Sequence, residues 1–209
     1  GALNNDAASY NTAVGHNSSK LITTGIQNTT IGALAGDALT DADFNVAIGY
    51  NALSADTLGS TSTAIGLSAL SVQNFTTATN SFNTAIGYTA GGSVTTGTLN
   101  TLVGALTGDA LTEGAENVAM GVNALGTDTK GSFSTALGGN ALQTQNFTSA
   151  TNVYNTGVGF AAGKLITTGV QNTFIGGLAG DANTTASNNS VLGWSALTTN
   201  TTGAQNVAV

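Results

Sequence analysis

The chain has 209 residues, with three Lys, no Arg, ten Asp or Glu, 29 Gly, no Pro and no Cys. A net charge of −7 with cations only at Lys20, Lys130 and Lys164 argues against nucleic acid and anionic membranes, because both require phosphate neutralisation. No apolar run approaches the roughly 20 residues of a membrane span, and without Cys no disulfide staples the fold.

Residues 1–10 read as the end of a preceding repeat. From Asn11 onward a phrase of the type NTAVG recurs, and its glycine falls at Gly15, Gly32, Gly49, Gly66, Gly87, Gly104, Gly121, Gly138, Gly159, Gly176 and Gly193. Three gaps of 17 are followed by one of 21, so a short unit is nested in a long one of 72 residues. The long repeats span 11–82, 83–154 and 155–209, the last truncated, and the first two are identical at 41 of 72 positions. The last repeat stops short of its next glycine, as expected of a piece of a longer array. A fixed period of this length is the signature of a solenoid or a related array.

Each column of the repeat carries a requirement. Before the glycine stands Val14, Ile31, Ile48, Ile65, Ile86, Val103, Met120, Leu137, Val158, Ile175 or Leu192, and two places earlier Thr, Val or Ser. Such alternation predicts a short strand with the aliphatic column turned inward as a dry core line. Four places before the glycine are Asn11, Asn28, Asn45, Asn83, Asn100, Asn117, Asn155, Asn172 and Asn189, replaced by Ser only at Ser62 and Ser134. Asn at one point of every turn is suited to a hydrogen-bonded amide ladder. Small residues three places after the glycine, and further glycines at turns, leave no helical stripe. The expected fold is therefore all-β: a repetitive parallel β-solenoid or β-roll with 17-residue turns, every fourth of 21. So thin a core favours packing in a homotrimer, side by side or intertwined. A left-handed hexapeptide β-helix would need a six-residue rhythm, which is absent.

The phrases NTAVG, NVAIG, STAIG, NTAIG, NVAMG and NTGVG resemble the head repeats of trimeric autotransporter adhesins, which form a left-handed parallel β-roll of three chains. NTAIGYTAGG and NVAIGYNAL are similar to repeats of phage tail fibres. The resemblance spans residues 11–209, although the adhesin heads have shorter repeats. It implies an extracellular location, on a virion tail fibre or a bacterial cell surface, and a structural shaft or head segment acting as a rigid spacer. The expected partners are further copies of the chain and a cell-surface glycan or protein receptor, with no membrane insertion.

Candidate contact residues lie in two places. The four extra residues recur within QNFTTATNSF and QNFTSATNVY, and bring Phe75, Phe82, Phe147 and Tyr154. Inserted loops of a solenoid project from one face, often the binding face, although these rings also suit a role covering the roll. The position after the glycine carries Tyr50, Tyr88, Phe160 and Trp194. Asp37, Asp109 and Asp181 recur at intervals of 72 and are weak candidates for a cation, since a turn role suits them better. No cofactor is expected. Catalysis lacks an inventory: His16 is the sole histidine, and Glu113 with Glu116 is a pair that the other repeats do not carry. The competing reading is an ice- or crystal-binding solenoid with Thr12, Thr29, Thr63, Thr84 and Thr101 in a flat row, interrupted by Val46 and Val118.

Overall fold

The computed structural model describes residues 9–209 and is all-β, with no helix among them. Twelve short strands, from Thr12–Val14 to Val207–Ala208, form one parallel sheet in chain order. Each lies beside its equivalent one repeat later, so that Val46 pairs with Thr63, Ala47 with Ala64 and Ile48 with Ile65. The chain is thus a parallel β-solenoid of about twelve coils, numbered below by the glycines from Gly15 onward. Register survives the 21-residue step, since Ile65 still pairs with Ile86. The four extra residues are absorbed at the side, where Thr79–Asn80 adds to Gly59–Ser60 and Thr151–Asn152 to Gly131–Ser132 as small parallel ladders.

The column glycines have φ from +128° to +142°, a region that L side chains avoid. A Cβ on Gly121 would stand 2.6 Å from the carbonyl carbon of Gly138, one coil on. Backbone lies on backbone here, and only glycine permits it. Two further left-handed positions follow, two and four places on. The fourth takes Gly, Ser or Leu but never a β-branched residue.

The core differs from the sequence expectation. The column Val14, Ile31, Ile48, Ile65, Ile86, Val103, Met120, Leu137, Val158, Ile175 and Leu192 points outward and is half-buried or exposed in the chain; Val14 keeps 57% of its surface. The residue between the two β-branched positions turns inward instead: Ala47, Ala64, Ala85, Ala119 and Ala136 are fully buried. The reason is width. The opposite wall, with Ala52 or Ala69 three places after the glycine and Leu53 or Leu70 four places after it, fills the coil and leaves room for a methyl.

Volume is conserved from coil to coil. Where the fourth place is Leu (Leu53, Leu70, Leu125, Leu142), the seventh is polar; where it is Gly, the seventh is usually aliphatic, as at Leu39, Val94, Leu111 and Ile166. The two large inward residues need the same glycines. Leu102 packs over Gly91 and Gly108, and Phe174 over Gly163 and Gly180.

Two polar ladders run beside the core. The Asn28 backbone N–H donates to Asn11 Oδ1 (2.7 Å) and the Asn45 N–H to Asn28 Oδ1 (2.9 Å), and each Asn amide donates to a carbonyl 14 residues on. The second ladder is threonine, eight places after the glycine. Thr40 Oγ1 donates to the Thr57 carbonyl (3.0 Å), and Thr95 and Thr112 repeat the bond to Thr112 and Thr129.

Candidate binding surface

The outward face of the long sheet carries the aliphatic column beside the Thr and Val column of Thr12, Thr29, Val46, Thr63, Thr84, Thr101 and Val118. Two rows flank it. At the C-terminal edge, Tyr50, Tyr88, Phe160 and Trp194 are exposed, Trp194 by 73%. At the N-terminal edge a left-handed position five places before the glycine holds Tyr10, Phe44, Phe82, Phe133 and Tyr154. Phe133 and Tyr154 stack, with centroids 5.2 Å apart.

The insert aromatics separate into two kinds. Phe75 and Phe147 retain only 6% and 8% of their surface, so they cover the side of the coil and are unavailable as platforms for a ligand. Phe82 and Tyr154 are half exposed and belong to the N-terminal edge row. What the inserts present to solvent is Thr76, Thr77 and Ala78, and their equivalents Thr148, Ser149 and Ala150.

Beneath each insert lies a buried network that the sequence reading missed. Asp56 has no exposed surface; its Oδ1 accepts from the Gly59 and Phe75 N–H groups (both 3.0 Å) and its Oδ2 from Gln73 Nε2 (2.6 Å). Gln73 Nε2 also donates to Ser62 Oγ, and its Oε1 accepts from Asn83 Nδ2 (2.8 Å). Gln73 therefore bridges the gap that Ser62 leaves in the Asn ladder. Asp128, Gln145, Ser134 and Asn155 repeat the arrangement. The available signal was a polar pair, Asp then Gln, at the seventh place of adjacent coils.

Asp37, Asp109 and Asp181 are spaced four coils apart, too far to converge within one chain, and no three His, Cys, Asp or Glu side chains gather among the described residues. Oδ1 of Asp37 and of Asp181 is buried without a hydrogen-bond partner. Glu113 forms an ion pair with Lys130 (2.7 Å), whereas His16 and Glu116 stand in solvent. Among the described residues no helix is long and apolar enough to cross a membrane.

No family model, curated protein or solved structure matches the chain.

Burial raises the carboxyl of Asp56 above its ordinary 3.8, against the lowering effect of its bonds from Gln73, Phe75 and Gly59. Burial also raises Asp37 and Asp109. A carboxyl raised in the folded state binds its proton there first. Between 3.8 and the raised value the folded chain therefore holds more protons than the unfolded one, and stability falls as pH rises. Thermal unfolding is expected at a higher temperature at pH 4 than at pH 7, and less so in Asp56→Asn. A lower midpoint at pH 4 would contradict this assignment.

Proposed function

We propose that the chain is a shaft or head segment of a homotrimeric extracellular fibre, borne by a virion tail or a bacterial surface, and serves as a rigid spacer with capacity for surface attachment. The observation that carries this reading is the outward aliphatic column. Eleven coils each turn one Val, Ile, Leu or Met onto one outward face, aligned by strand pairing. A continuous apolar strip of this length favours burial against another surface, and identical chains in parallel offer a matching strip at every level. Rigidity follows from backbone bonding between successive coils along the whole array.

Sedimentation equilibrium at micromolar concentration is expected to give three copies. Ile65→Glu with Ile86→Glu places charges in the strip and is expected to yield monomers that keep their β circular dichroism. A wild-type monomer, or trimers unaffected by both charges, would remove the basis of the proposal.

An ice- or crystal-binding solenoid remains the second reading, favoured by one observation. The Thr row lies on the outward face, and Val46 and Val118 share that face. Thermal hysteresis in a monomeric protein would select this reading.

A further inference from the structure

The row just after the column glycine alternates, with one break at Val122. Odd-numbered coils carry His16, Tyr50, Tyr88, Val122, Phe160 and Trp194, so five of six bear a ring; even-numbered coils carry Ala33, Leu67, Ala105, Gly139 and Gly177, and none does. At Gly177 the small residue has a steric cause. Trp194 lays its six-membered ring over Gly177, with Cε3 2.6 Å from where a Cβ would stand, and Phe160 lies over Gly139 at 3.6 Å. Each of these rings rests on the backbone of the preceding coil and is otherwise open, with Phe160 59% and Trp194 73% exposed.

We infer that this row is a platform for a neutral, extended β-1,4-linked polysaccharide lying along the solenoid axis. The inference rests on the attachment role proposed above and names its ligand class. Strands pair at about 4.8 Å, so rings two coils apart repeat at about 9.6 Å. In a fully extended β-1,4 chain successive sugars are turned over, and the same face returns once per disaccharide, at closely this spacing. Tyr50 to Tyr88 and Phe160 to Trp194 are single steps of two coils, and Tyr88 to Phe160 is two such steps, with Val122 between them. Tyr50 with Tyr88, and Phe160 with Trp194, can therefore meet equivalent sugar faces. Aromatic rings offer flat apolar area, and Tyr adds a hydroxyl at its edge. A net charge of −7 disfavours acidic glycans. The row lies at the edge of the sheet, beside the aliphatic strip and not on it.

Trp194 is the only tryptophan, so its fluorescence reports the site directly. Titration of the full chain with cellohexaose and chitohexaose is expected to shift that emission, and cellulose or chitin is expected to retain the protein while amylose does not. Trp194→Ala should weaken retention roughly tenfold, and Tyr88→Ala, Phe160→Ala and Trp194→Ala together should abolish it without changing the native mass. Gly177→Trp in the Trp194→Ala background moves the ring by one coil and should not restore retention. Unchanged emission together with absent retention, equal retention by amylose, retention that survives the triple variant, or rescue by the displaced tryptophan would each overturn the inference. Native mass is read separately, so a trimer that ignores these glycans defeats only this inference, and a monomer that binds them defeats only the trimer.

Discussion

Gly138→Ala is expected to destabilise the solenoid by about 3 kcal/mol or more, whereas Gly139→Ala, one residue along, should be nearly neutral. At Gly138 φ is +138°, and a Cβ would meet the carbonyl group of Gly159, its carbon at 2.6 Å. The obstacle is backbone held in a ladder, so it cannot swing aside as a side-chain end would. Relief requires opening the coil contact at Gly138 and Gly159. At Gly139 φ is unremarkable, and the nearest neighbour of a new Cβ is the Phe160 ring at 3.6 Å, ordinary contact. Because coils interact mainly with their neighbours, the damage should appear as an early unfolding step confined to part of the array. Chemical denaturation monitored by circular dichroism and by Trp194 emission reads both. Equal midpoints for the two variants would refute the backbone-stacking account.

Asp56→Ala is the second large effect, expected at about 3 to 5 kcal/mol. The substitution strands three donors in a site with no solvent, the N–H groups of Gly59 and Phe75 and the amide of Gln73. Buried unsatisfied donors cost about 1–3 kcal/mol each. Asp56→Asn should lose less, since its oxygen still accepts the two backbone bonds while its amide faces the Gln73 amide, donor against donor. Turning Gln73 over would only move the conflict to Asn83, which now donates to Gln73 Oε1. Denaturant midpoints should therefore place Ala well below both Asn and wild type. An alanine variant within about 1 kcal/mol of wild type would mean that water or a rearranged Gln73 replaces the carboxylate.

Much of the architecture was legible in the residues. The spacing of the glycines announced the coil, and Asn at one fixed place announced a polar ladder whose bonds run from Asn11 to Asn206. The inside of the coil was not legible by the same means. In T-A-I and V-A-I the bulky residues at both outer places suggested burial, but period-2 alternation says only that two faces differ, not which is wet. The deciding fact is the distance to the opposite wall, which depends on Leu53 and Leu70 and on the trade between the fourth and seventh places. Phe75 and Phe147 were ambiguous for a related reason. An inserted loop projects only if nothing roofs it, and here the extra residues pair as a side ladder that folds the rings down. The threonine ladder went unread because Thr is abundant everywhere in the chain, so the row eight places after the glycine did not stand out.

The buried carboxylate also bears on how such an array changes in length. Asp56 in the third coil depends on Gln73 in the fourth, which in turn holds Asn83 of the fifth. Excising one coil of 17 residues beside this junction would leave a desolvated anion facing the wrong neighbour. Removing or copying a whole block of 72 delivers each Asp to a new but equivalent Gln. Such molecules should therefore grow and shrink by four coils at a time, in increments of about 19 Å.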